Sequence, residues 1–164
     1  METFTTTDDL RSRLHTLASQ PVDAIFHAAA VSDFAFGKTW QRTADGNLIP
    51  FKAGKISSRL DNVLVELTPT GKIIADLRDW FPRACLTGWK FEVDGKRSNA
   101  ITKAEQQLTD YRTTACVVNG RAYGEGFGLV TGAGRITHLA DREALFAALE
   151  ELLARRVIPG SSCP

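Results

Sequence analysis

Asp23-Ala-Ile-Phe-His-Ala-Ala-Ala30 is a short apolar run in which polar and apolar residues do not alternate. That is the pattern of a strand covered on both faces. Two further runs share it: Ala84-Cys-Leu-Thr-Gly-Trp-Lys-Phe91 and Ala115-Cys-Val-Val118, the second closed by Asn119-Gly120. Around them the apolar spacing becomes helical. Thr7-Asp8-Asp9 offers a capping hydroxyl and two acids for a helix start, Leu10, Leu14 and Leu17 follow, and Pro21 ends the stretch. Val63 to Leu67 reads as a strand. Thr70 then reads as the cap of a helix with Ile73, Leu77 and Phe81 on one face, stopped by Pro82. Ala100, Ala104, Leu108 and Tyr111 form one stripe over 98–111. Residues 128–139 read as a hairpin turned at Gly132-Ala133-Gly134, and Asp141 caps a last helix bearing Leu145, Leu149 and Leu152.

This alternation of strand and helix predicts right-handed βαβ crossovers. The expected fold is α/β: a Rossmann-like three-layer domain with a mostly parallel sheet and a C-terminal β-hairpin plus helix. One domain is expected over 1–156, with a flap at 32–58 and a flexible tail at 157–164. Ligands of such sheets sit beyond the carboxyl ends of the strands. That rule selects 28–33, 68–72, 88–92 and 119–121.

Composition narrows the class. The 164 residues are 43% hydrophobic and 24% charged, with a formal net charge of +1. A near-neutral surface offers no broad attraction to nucleic acid or to anionic membrane, so neither is an expected partner. Three cysteines without a C-x-x-C pair argue against a disulfide scaffold, and Cys85 and Cys116 read as small buried thiols. No secretory signal opens the chain and no apolar run is long enough for a membrane span. A cytoplasmic location is expected.

The strand ends carry the unusual residues. His27-Ala-Ala-Ala-Val-Ser-Asp33 offers bare backbone to a flat base or ribose, with Asp33 at the rim, though small-residue packing and a capping Asp explain it as well. Phe51 to Arg59 holds Lys52, Lys55 and Arg59 around Gly54 in a long segment, either a lid over phosphates or a solvated basic loop. Gly71-Lys72 at a helix start suits an anion, without the P-loop pattern. Trp89 is a base-stacking aromatic or a core one, and Glu92 is a magnesium ligand or a partner of Lys90. The Gly124-Glu-Gly-Phe-Gly128 stretch is not a dinucleotide fingerprint.

The order of these segments carries a resemblance. His27-Ala-Ala-Ala-Val-Ser-Asp33, Lys55-Ile56, Gly71-Lys72-Ile73-Ile74, Gly88-Trp89-Lys90-Phe91-Glu92, Val117-Val118-Asn119 and Phe127-Gly128 follow one another as in the phosphopantothenoylcysteine synthetase family. That family is also described as the DNA/pantothenate metabolism flavoprotein C-terminal domain. The resemblance implies a ligase joining 4′-phosphopantothenate to cysteine in coenzyme A synthesis through an acyl-nucleotidylate, with CTP or ATP as co-substrate and Mg²⁺ required. It implies Lys55 and Asp33 as catalytic residues, and Ala29, Ala30, Gly71, Lys72, Ile73, Ile74 and Trp89 as nucleotide-binding. It implies Asn119 as substrate-binding and leaves the metal ligands unassigned.

A homodimer is expected from the resemblance, and no FMN. The family usually opens with a Gly-rich strand–turn–helix. Here the sequence starts at what would be the third strand, so the resemblance leaves three readings: a second chain supplying that segment, a fragment, or an inactive copy. CTP-using members usually carry two lysines on the helix before the Val-x-Asn strand, where this chain has Gln107 and Tyr111. The competing function is a non-catalytic nucleotide- or metabolite-binding subunit. A generic oxidoreductase domain ranks lower, because the Gly-rich fingerprint is absent.

Overall fold

The computed structural model describes residues 3–51, 57 and 62–157. Its contacts divide the chain into two units, Met1–Ala30 with Ile73–Pro164, and Val31–Lys72. The larger unit contains α1 (Thr7–Leu17) and β1 (Ala24–His27). The smaller contains β2 (Phe34–Arg42), β3 (Leu48–Pro50) and β4 (Val63–Pro69). The chain then returns to the larger unit with α2 (Ile73–Trp80), β5 (Cys85–Phe91), α3 (Arg97–Tyr111), β6 (Ala115–Asn119), β7 (Phe127–Gly132), β8 (Arg135–Leu139) and α4 (Arg142–Val157).

The large unit is a five-stranded sheet ordered β1-β5-β6-β7-β8. β1, β5 and β6 pair in parallel, and β7–β8 adds an antiparallel hairpin. Cys116 and Val118 pack with Ala100 and Ala104 of α3, while Ala115 and Val117 pack with Leu145 and Leu149 of α4. All four strand residues are fully buried. This two-sided burial is the reason the run has no alternation, and each buried valine contributes about 1.5–3 kcal/mol. Leu86 and Ile25 lie with α1 and α2 in a third cluster around Ile73, Leu77 and Phe81. The result is the Rossmann-like three-layer α/β arrangement the sequence predicts.

Helix ends follow local chemistry with one-residue adjustments. Thr6, not Thr7, caps α1, its hydroxyl accepting from Asp9 N–H at 3.1 Å. Asp141 caps α4 through Ala144 N–H at 2.8 Å. Thr70 does not cap α2, because its hydroxyl donates to the Ser32 carbonyl at 2.6 Å.

The small unit corrects two expectations. Val63–Pro69 does not join the parallel sheet; it pairs antiparallel with β2 in a separate sheet ordered β3-β2-β4. From Val65 to Thr68 the residues alternate apolar and polar, which suits a sheet with one face toward solvent. The stretch 32–58 is also not simply a long loop: β2 and β3 occupy 34–42 and 48–50. Gly37 marks a register shift in β2. A Cβ there would lie 2.8 Å from Glu66 Oε2, which accepts from Lys38 N–H at 3.1 Å.

Candidate functional site

In the large unit the carboxyl ends of β1, β5 and β6 collect Ala28 to Ala30, Trp89 to Phe91 and Asn119 to Gly120. Asn119 pairs with Phe91, and its carbonyl accepts from Glu92 N–H at 2.9 Å. Its side-chain Oδ1 is buried and has no hydrogen-bond partner among the described residues. A buried carbonyl oxygen without a donor is costly, and a bound N–H or O–H group would relieve it. Gly120 follows at φ +108°, where an added Cβ would meet the Glu92 carbonyl at 2.4 Å. That glycine lets the loop after β6 cross the end of β5.

Glu92 is held by Lys103 of α3, with Nζ 2.5 Å from Oε2. It does not pair with Lys90, the partner considered from sequence. Glu92 lies just past the end of β5, where Lys103 of α3 reaches it.

Gly88 lies opposite His27 in β1 and Cys116 in β6. A Cβ on Gly88 would lie 2.1 Å from Gln107 Nε2 and 2.7 Å from Ile74 Cδ1. Gln107 is therefore not a ligand-facing stand-in for a lysine. It is 4% exposed and its amide donates to Cys116 Sγ at 3.1 Å. Burial pushes the Cys116 thiol up to about 12, which makes it a poor nucleophile at neutral pH. His27 is held below its ordinary pKa by burial and presents a neutral imidazole.

Ile73 and Ile74 are buried among α1, α2 and β5, so only their backbone is available to a nucleotide. Trp89 is on the other face of β5, partly buried beside Val117, Leu129 and Leu145. The strand itself therefore separates Ile74 from Trp89, and their side chains do not form two walls of one slot.

The small unit brings Asp33 to the Gly71–Lys72 turn. Phe34 pairs with Pro69, and the Asp33 carbonyl accepts from Thr70 N–H at 2.9 Å. Asp33, Gly71 and Lys72 thus share one end of the three-stranded sheet, while Ala29, Ala30, Ile73, Ile74, Trp89 and Asn119 belong to the large unit. Lys55, with Lys52 and Arg59, lies outside the described residues.

Among the described residues no group of three or more His, Cys, Asp or Glu side chains is placed to hold a metal ion. Asp33 and Glu92 are single carboxylates. Magnesium that keeps its waters and is carried on substrate phosphates asks for only one or two such groups, so the residues are compatible with it.

Sequence reading missed a second cluster: Arg97, Tyr123 and His138, joined by hydrogen bonds of 2.8–3.2 Å. Its only signal was a lone tyrosine in a glycine-rich stretch.

Two solved proteins align over nearly the whole chain. The DNA/pantothenate metabolism flavoprotein from Streptococcus pneumoniae is 20% identical over 92% of this chain and 71% of its own, with a TM-score of 0.75. A histidine-to-alanine variant of Cab2, solved in complex with phosphopantothenate-cysteine, is 23% identical over 94% of this chain and 51% of its own, with a TM-score of 0.63. The same variant is found with those values in a structure whose description gives no ligand. The chain shares their fold. It spans about half the length of Cab2 and about seven tenths of the flavoprotein. No protein-family model and no curated protein matches the sequence. The agreement is therefore one of architecture, the same architecture that the order of motifs implies. Among the described residues no helix is long and apolar enough to cross a membrane.

Proposed function

We propose that this chain is the nucleotide-handling catalytic portion of a ligase that joins 4′-phosphopantothenate to cysteine. What supports the reading is the unpartnered Asn119 Oδ1 at the β6 strand end, in a fold shared with a protein solved with phosphopantothenate-cysteine. The Asn119 oxygen accepts a hydrogen bond from an amide or hydroxyl of the substrate. The bare backbone at Ala29 and Ala30, with that of Ile73 and Ile74, receives the nucleotide. Gly71 and Lys72 hold phosphate by backbone N–H and ammonium charge. Trp89, on the opposite face of β5 and packed against Leu145, is left out of that contact.

The chemistry is activation followed by transfer. The carboxylate oxygen attacks the α-phosphorus of CTP or ATP, and pyrophosphate leaves. The cysteine amine then attacks the acyl carbon, the nucleoside monophosphate leaves, and the amine proton passes to solvent. Lys55 neutralises charge on the acyl intermediate, and Asp33 orients it. Magnesium, when bound, offsets the repulsion between the phosphates and the incoming carboxylate.

Two partners belong to this reading. One is a second copy of the chain. Phe34, Phe36, Ile49, Val63, Val65 and Leu67 lie on one face of the small sheet and are 36–84% exposed. Together they offer on the order of 500–600 Å² per protomer, near the lower bound for a stable dimer interface. The other is a strand-forming segment that pairs along the outer edge of β1, which has no neighbouring strand among the described residues.

Pyrophosphate release with Mg²⁺, 4′-phosphopantothenate and cysteine, using CTP and ATP separately, tests the ligase. Substrate-dependent release that Lys55→Ala abolishes, with nucleotide binding kept, supports it. Nucleotide binding without release refutes catalysis and leaves a binding subunit. Light scattering tests the dimer: Phe36→Asp is expected to give a monomer, and a monomeric parent would overturn the contact.

A further inference from the structure

Glu92 is the first residue past β5, and the loop after β6 folds around its backbone. Its N–H donates to the Asn119 carbonyl at 2.9 Å, and its carbonyl accepts from Ala122 N–H at 3.0 Å. Gly120 crosses directly against it. An added Cβ there would lie 2.4 Å from the Glu92 carbonyl oxygen and 2.9 Å from the Glu92 nitrogen. The Glu92 side chain is 16% exposed and turns to α3, where Lys103 Nζ lies 2.5 Å from Oε2.

Lys103 is carried by a well-seated helix. Ala100 and Ala104, on either side of it in sequence, are fully buried and pack with Cys116 and Val118 of β6. The ion pair therefore runs from a helix fixed on β6 to the one residue around which the loop 119–122 is folded. Asn119 Oδ1, by contrast, has no hydrogen-bond partner among the described residues. Nothing bonded to that oxygen orients it, so its place is set by the backbone that Glu92 holds.

We propose that Glu92 and Lys103 are positioning residues for Asn119, acting through the backbone of 119–122 without touching substrate. The inference rests on the reading of Asn119 as the substrate contact. Charge alone gives the opposite expectation for one variant. Glu92→Gln leaves Lys103 uncompensated, and a freed cation attracts a phosphate-bearing substrate more strongly. Positioning expects the same variant to bind that substrate more weakly.

Two measurements on the full chain test this: amide hydrogen exchange of 119–122 without ligand, and the Kd of 4′-phosphopantothenate by calorimetry. Ala122 N–H, bonded to the Glu92 carbonyl, is the direct reporter. Glu92→Gln and Lys103→Met are each expected to lower protection and to raise Kd by about threefold, a modest change because the Lys103 side chain is 56% exposed. Exchanging the charges, Glu92→Lys with Lys103→Glu, is expected to restore both. Lys103→Met, at an exposed position, serves should Glu92→Gln not fold. Tighter binding by Glu92→Gln, unchanged protection in both single variants, or no recovery on charge exchange would overturn the proposal. Lowered protection in variants of a parent that does not bind 4′-phosphopantothenate would instead refute the reading of Asn119; binding with unchanged protection would refute the positioning alone.

Discussion

Gly88→Ala tests the packing on which the strand end is built. The added methyl would lie 2.1 Å from Gln107 Nε2, 3.0 Å from Gln107 Cδ and 2.7 Å from Ile74 Cδ1. Both neighbours are side-chain ends and would yield if they had room. They do not, for Gln107 is 4% exposed and Ile74 8%. Displacing Gln107 also breaks its hydrogen bond to Cys116 Sγ and leaves a buried amide without an acceptor. Overpacking costs about 1–3 kcal/mol, and a buried donor left unmade about 1–3 kcal/mol more. The expected loss is therefore about 2–6 kcal/mol. For a chain of this length that is a fall in Tm of roughly 4–24 °C. Urea denaturation and calorimetry of the two proteins measure it. Gly88→Ala with Gln107→Ala is expected to be less unstable than the sum of its parts, by at least about 1 kcal/mol. A single variant within about 0.5 kcal/mol of the parent, or strict additivity, would refute the account of Gly88.

Gly120→Ala combines a left-handed φ of +108° with a backbone clash at 2.4 Å; a loss of at least about 2 kcal/mol is expected, and a neutral result in urea would contradict the crossing of the loop over β5. Cys116 is raised to about 12 from 9.0, so the unfolded thiol ionises first and stability falls as pH rises from about 9 to 12. Cys116→Ser is expected to weaken that alkaline limb, and identical alkaline profiles would count against burial as the cause. His27 is shifted the other way, downward, by burial. Stability held above the unfolded imidazole pKa is lost as pH falls below it, because only the unfolded chain then takes up the proton freely. His27→Gln is expected to flatten that acidic limb in pH-resolved melts, and an unchanged limb would assign the loss to other groups.

Much of the larger unit was legible in order. Runs buried on both faces name themselves by lacking alternation, as at Ala115 to Val118, and Asp141 announces its helix by local hydrogen bonding alone. The hairpin at 128–139 and the Ala100, Ala104, Leu108 stripe were equally local signals. The small unit was legible only in part: Val65 to Thr68 alternates, but that pattern does not say with which strand it pairs.

The candidate site divides in the same way. Sequence order set out Ala29, Ala30, Asp33, Gly71, Lys72 and Asn119 as strand-end or turn residues, since each is defined by its immediate neighbours. It did not show that Ile73 and Ile74 are buried, that Gln107 fills the space above Gly88, or that Glu92 belongs to Lys103. Nor did it join Arg97, Tyr123 and His138, which are separated by 15–41 residues. A helix or strand carries its period in a few consecutive residues, so sequence alone determined the element order and the layered α/β class. Side-chain partners depend on which faces meet, and the faces of α3, β5 and β8 meet only after the chain has closed over the sheet.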